Sequence, residues 1–413
     1  MLAQSLFITA LADSALAAIP AVSIPLHYYY GGGYKIATNL INSAANTSVE
    51  VVFDQGSENF WVFGPDAIDN WGCTSLFCQG QCNATVEPFY DYPDSPTAKK
   101  PEPFVTQYAY GSYTKVVRGQ ESVNDTFLFA GDAGLTSKFD ARVAIATYMQ
   151  QRLPDDGQCK PAPYDHGILG AAPFYRTADW NTTGPHVRQD LLEKGIISAP
   201  VQSIWFDEAP ADWKGTFTGN ALFGAIDLSK FTGDLVRVPL VQNDGLGATV
   251  GYFVAPPTVK VKNVTFDHSG VSTKSCMIDS GTQTSDLPIG DAALAAFFAA
   301  AGLTHDSFGH VSWNGTCDSV PKDFTIDLEF AGVDGKSVTI KTPLRNYIRN
   351  NADAEAGLCV LNIDTGACML GAPFATAAFF AADDAKGEIA LAQGGISKTG
   401  SKADDASLSL TIP

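Results

Sequence analysis

Val51-Val52-Phe53-Asp54-Gln55-Gly56-Ser57 and Cys276-Met277-Ile278-Asp279-Ser280-Gly281-Thr282 are two copies of one pattern, half a chain apart: apolar residues, an aspartate, a polar residue, a glycine, then a hydroxyl side chain. Each copy puts a carboxylate where a buried strand gives way to a tight glycine turn, with a hydroxyl three positions on that can hydrogen-bond to it. Each is followed by its own apolar-apolar-glycine strand, Ile168-Leu169-Gly170 after the first and Met369-Leu370-Gly371 after the second. A single D-x-G-[ST] is an ordinary β-turn. Two, each inside an apolar strand and each with the same sequel, imply two similar halves contributing one aspartate apiece.

Outward from these stretches the chain reads as short strands punctuated by 38 glycines and 23 prolines. From Phe324 to Phe330 apolar and polar residues alternate, and Asp334-Gly335 supplies a turn before Ser337 to Lys341, so a hairpin with one buried face is expected. Val259 and Val261 show the same period of two between Thr258, Lys260 and Lys262. Helices are few: Asp291 to Ala301, closed by Gly302, and Val187 to Lys194, closed by Gly195. The fold class is mainly β, without the short-period repeats of solenoids or propellers.

The 413 residues are 45% hydrophobic and only 17% charged, against about 25% charged in an average globular protein. That excludes a disordered, collagen-like or coiled-coil chain. Twenty-six Lys and Arg against 44 Asp and Glu leave a net charge of −18, which repels phosphate backbones and excludes nucleic acid as a partner. Few basic residues also limit self-repulsion at low pH, so an acidic working environment is consistent with the composition.

Residues 1–17 carry an apolar run (Leu6, Phe7, Ile8, Leu11) and end in Ala15-Leu16-Ala17, the small-x-small pattern of a signal peptide, although Asp13 interrupts the run and no Lys or Arg precedes it. N-x-[ST] sequons stand at Asn46, Asn83, Asn124, Asn181, Asn263 and Asn314, and the eight cysteines suit disulfides in an oxidising compartment. No later apolar run reaches the roughly 18 residues of a membrane span, and the C-terminus has no hydrophobic anchor tail. Secretion is expected, with the vacuole as second choice. G-x-S-x-G, H-E-x-x-H, Walker A and G-x-G-x-x-G patterns are absent, and the six histidines form no metal-spaced pair, so neither metal nor cofactor is expected.

The duplicated motif and its surroundings resemble those of the pepsin-like aspartic proteases. Glu58-Asn59-Phe60-Trp61-Val62 and Asp286-Leu287-Pro288 are similar to that family's extensions of the two motifs. Leu222 to Asp227 resembles its strand between lobes, and Met369 to Phe374, with Phe379-Phe380 and Gly387 to Ala392, its C-terminal stretch. The resemblance implies a bilobal fold of two pseudo-symmetric β lobes with a cleft between them: an N-terminal lobe over 18–216 and a C-terminal lobe over 217–413. It implies Asp54 and Asp279 as catalytic residues, supported by Gly56, Ser57, Gly281, Thr282, Gln55, Ser280 and Trp61. It also implies a substrate-covering flap over Phe104 to Tyr113 with Tyr110-Gly111 at its tip, Tyr108 and Tyr113 being the competing tyrosines. Cys317 with Cys359 resembles the family's C-lobe bridge, and Cys73 with Cys78 or Cys82 its small N-lobe loop. Cys276 and Cys368 precede equivalent strands and could bridge, while Cys159 is left unassigned.

The activity so implied is that of an aspartic endopeptidase acting on polypeptides at acidic pH, without a cofactor, as a monomer. Chemistry gives the same reason for two carboxylates: neighbours cannot both ionise cheaply, so the pair holds one proton, one member activating a water and the other donating to the peptide carbonyl. Two features depart from the family pattern. Gln55 and Ser280 stand where threonine is usual, and a glutamine amide cannot make the short hydroxyl bond that ties the two loops together. Residues 18–24 alone separate the expected cleavage from Pro25, leaving little room for the family's basic propeptide. The alternative is therefore a catalytically inactive protein of the same fold, acting as a secreted binding or inhibitory protein.

Overall fold

The computed structural model describes residues 19–29, 35–42, 47–74, 77–111, 115–131, 134–151, 166–173, 185–244, 250–349 and 357–413, with side chains at 71–82 and 151 outside the description. It is mainly β, and its strands follow the alternation in the sequence. In Thr325–Ala331 the residues Ile326, Leu328 and Phe330 are buried while Thr325, Asp327 and Glu329 are half-exposed, and the strand pairs antiparallel with Ser337–Pro343. One face packs inward because a one-residue slip would turn the whole apolar set to water.

A fourteen-stranded sheet runs through the molecule. Its middle joins the two halves: Thr216–Phe223 pairs with Val22–Tyr29 on one side and Val201–Phe206 on the other, and Val201–Phe206 pairs with Ala378–Asp383 near the C-terminus. The expected boundary after residue 216 thus falls at the start of the strand that links the halves. Every residue of Val201–Phe206 is buried, as expected for a strand covered on both faces.

The two motifs occupy equivalent positions. Thr47–Asp54 pairs in parallel with Gly167–Gly170, Asp54 standing opposite Gly170. Cys276–Ile278 pairs in parallel with Met369–Leu370, Ile278 standing opposite Leu370, inside a separate five-stranded sheet. Disulfides join Cys276 to Cys368 at the head of that second pair and Cys317 to Cys359 farther out. The backbones of Cys73 and Cys78 oppose one another in a hairpin, but the side chains of Cys73, Cys78 and Cys82, and all of Cys159, lie outside the described residues.

Candidate active site

Asp54 ends its strand and Asp279 follows directly on Cys276–Ile278. The residue before each is fully buried, and the Phe53 ring stacks on Phe223 at 6.2 Å between centroids. Burying a phenylalanine stabilises by roughly 2–3 kcal/mol, so each aspartate projects from an anchored strand end rather than a loose loop. Behind them the parallel partners fix the backbone: Ala171 N–H donates to the Asp54 carbonyl at 2.7 Å, and Asp279 N–H donates to Leu370 O at 3.0 Å.

The two turns make the same bonds. Gly56 N–H donates to Asp54 Oδ1 at 2.8 Å and the Ser57 hydroxyl donates to Oδ2. Gly281 N–H donates to Asp279 Oδ1 at 2.8 Å and the Thr282 hydroxyl to Oδ2 at 2.7 Å. The turns face one another so closely that a Cβ on Gly56 would lie 2.7 Å from Asp279 Oδ1, and one on Gly281 2.3 Å from Asp54 Oδ1. Any side chain there would push into the opposing carboxylate, which is why both positions are glycine.

Both carboxylates are buried, 7% and 8% exposed. Burial raises Asp279 well above the ordinary carboxylate range, and the charge of Asp54 and a hydrogen bond to it push the same way. The proton this retains belongs to the pair rather than to either residue. Among the described residues no group of three or more His, Cys, Asp or Glu could hold a metal ion.

Contacts between the loops are one-sided. Ser280 Oγ donates to Phe53 O at 2.7 Å and accepts from Gln55 N–H at 3.0 Å. The Gln55 side chain does not return the favour: its amide nitrogen is buried and meets no hydrogen-bond partner among the described residues. Leaving such a group unsatisfied costs about 1–3 kcal/mol.

Glu102–Tyr110 and the start of Lys115–Ala130 form a hairpin with Tyr110 opposite Lys115. Gly111 turns away at φ 53°, a conformation glycine adopts without steric cost. Trp61, fully buried, donates Nε1–H to the Tyr110 hydroxyl at 2.8 Å. Tyr108 keeps its hydroxyl buried, and Tyr113 lies outside the described residues.

A second acidic pair was not legible in the sequence. Asp286, noted there only as part of a motif extension, stands opposite Asp364 in parallel register. Asp286 is pushed up to about 6 by burial and then by the charge of Asp364. Burial raises Asp364 too, against the opposing pull of His310 and Arg349. No spacing rule links these two residues, because their strands meet only through the fold.

Residues 43–394 match the family model of the eukaryotic aspartyl proteases. The chain is 24% identical over 314 residues to gastricsin of Macaca fuscata fuscata, covering 76% of this chain and 69% of that protein. It is 23% identical over 341 residues to pepsin B of Canis lupus familiaris, covering 82% and 72%. To candidapepsin of Candida tropicalis it is 24% identical over 367 residues, covering 87% and 79%.

Proposed function

Because this chain belongs to the eukaryotic aspartyl protease family, and is an aspartic endopeptidase by that membership, we propose that Asp54 and Asp279 are its catalytic pair and that it cleaves polypeptides internally at acidic pH. One observation carries the reading: two buried carboxyls, each held by its own glycine N–H and hydroxyl, converge so closely that each glycine turn abuts the other half's carboxylate.

In that state the pair holds one proton. The ionised carboxylate takes a proton from a water that attacks the peptide carbonyl carbon, while the protonated carboxyl gives its proton to the carbonyl oxygen. A tetrahedral diol results. Its collapse breaks the C–N bond: the leaving nitrogen takes a proton from the pair, one diol hydroxyl returns its proton to the pair as the C=O re-forms, and one shared proton remains. Ser57, Thr282 and the two glycine N–H groups hold the carboxyls in orientation through these exchanges, which is where geometric precision tells on rate. Tyr110, held by Trp61 at the end of the hairpin, is the residue that would close over substrate and exclude water.

The leader-like pattern in residues 1–17 and the sequons support secretion and glycosylation. Among the described residues no helix is long and apolar enough to cross a membrane. Asn83, Asn263 and Asn314 are exposed, whereas Asn124 is half-buried within Lys115–Ala130, so those three are the better glycan acceptors.

Digestion of denatured haemoglobin or casein across pH 2 to 7, with and without a statine-type inhibitor, tests the proposal. Acid-limited cleavage blocked by the inhibitor is the expected result. Cleavage indifferent to the inhibitor would overturn it. Inhibitor binding without any cleavage would favour the inactive binding protein, a reading motivated by the buried Gln55 amide nitrogen that meets no partner among the described residues.

A further inference from the structure

Arg188, on the helix Val187–Glu193, is fully buried. Its guanidinium lies 2.8 Å from the Asp384 carboxylate, which comes from just beyond Ala378–Asp383 at the other end of the chain. The same guanidinium donates to Ala171 O at 3.4 Å, to Ala172 O at 3.3 Å and to the Tyr252 hydroxyl at 3.3 Å. Tyr252 donates in turn to Asp384 Oδ1 at 3.0 Å. Gln202 Nε2 completes the set, donating to Tyr252 Oη at 2.6 Å and Ala171 O at 2.9 Å.

Each end of this network abuts one aspartate. Ala171 and Ala172, whose carbonyls Arg188 grips, turn their N–H groups onto Asp54 O at 2.7 Å and Ser57 O at 3.0 Å. Tyr252 stands opposite Ile278 in antiparallel register, one residue before Asp279. We infer that Arg188, Asp384 and Tyr252 are positioning residues, a second tie between the halves that fixes the spacing of Asp54 and Asp279 where the direct contact between the loops is one-sided. The inference rests on the catalytic reading of the two aspartates.

The electrostatics suit a permanent tie. Burial works against the Arg188 charge, but Asp384 and Tyr252 more than offset it. Burial, and after it Asp384, keeps the Tyr252 hydroxyl protonated. His186, pushed down to about 3 by burial and then by Arg188, stays neutral above that pH. A buried ion pair is weak evidence for stability, since a well-packed apolar pair often serves equally well, whereas removing one partner alone is severe. Its use here is therefore geometric.

The test removes both charges at once, as Arg188→Met with Asp384→Leu, because either change alone leaves a buried charge uncompensated and puts folding at risk. The expected result is a thermal midpoint held or raised, a kcat about a hundredfold lower and a KM within about twofold of wild type. Amide hydrogen exchange at Ala171, Ala172 and Asp279 should accelerate. Tyr252→Phe, which keeps the ring and the ion pair, should lower kcat about fivefold. A doubly apolar variant with wild-type kcat and exchange overturns the inference, as does a fall in kcat that merely follows a fall in thermal midpoint. If wild type cleaves nothing, the catalytic reading has failed and exchange alone decides: acceleration upholds the tie, unchanged protection removes it.

Discussion

The loops bearing Asp54 and Asp279 match bond for bond as far as each carboxylate, and part company at the next residue. Ser280 reaches across with its hydroxyl, donating to Phe53 O and accepting from Gln55 N–H; Gln55 buries an amide nitrogen that meets no partner among the described residues. The difference separates two requirements. Orientation of the carboxyls is local, set by a glycine N–H and a hydroxyl within the same turn, and both halves keep it. Direct contact between the two loops needs a side chain of the right length, and among the described residues only Ser280 supplies one.

The largest expected effect concerns what the halves share. Asp54→Asn and Asp279→Asn should each cut kcat by at least about a thousandfold while leaving the fold intact, and the double variant should be little worse, because the pair acts as a unit. Near-native turnover in either single variant, measured on a peptide substrate, would break the equivalence of the two loops.

Restoring a hydroxyl at the deviant position sharpens the contrast. Gln55→Thr should stabilise by about 1–2 kcal/mol, since it removes a buried unsatisfied amide, and should prolong survival at pH 7 without moving the acidic optimum. The check is incubation at pH 7, return to pH 4 and comparison of recovered activity with wild type. Shorter survival of the variant would mean that Gln55 is no weakness.

The hairpin that ends in Tyr110 belongs to the first half. Tyr110→Phe deletes its bond from Trp61, worth about 1 kcal/mol, and kcat should fall roughly fivefold with little change in thermal midpoint. An unchanged kcat would remove Tyr110 from the site.

The smallest effect lies in the second half, where Asp286 faces Asp364. Asp286, whose ordinary value is 3.8, is raised to about 6 in the fold, so the folded state holds more protons than the unfolded state between those values. Stability from this group is therefore full below the ordinary value and falls as pH rises toward 6. Asp279 is raised likewise, so both act in the same direction. Asp286→Asn should lift the thermal midpoint at pH 7 and leave it nearly unchanged at pH 3.5. Equal midpoints at both values would show that the facing carboxylates carry no penalty.

What the sequence determined by itself was whatever depends on near neighbours. The alternation of Phe324 to Phe330 dictates a half-buried strand, the D-x-G-[ST] pattern contains every donor that orients its own carboxylate, and its recurrence with the same apolar-apolar-glycine sequel announces two equivalent halves. Gln55 was legible as a departure, but whether its amide would find another partner was not, because that depends on the atoms opposite. The tertiary structure alone decided which remote residues meet: Asp286 with Asp364, and Arg188 with Asp384 and Tyr252. These contacts carry no periodicity or spacing. They arise where elements remote in sequence pack together, and for Arg188 and Asp384 the burial that makes each charge costly is also what obliges them to pair.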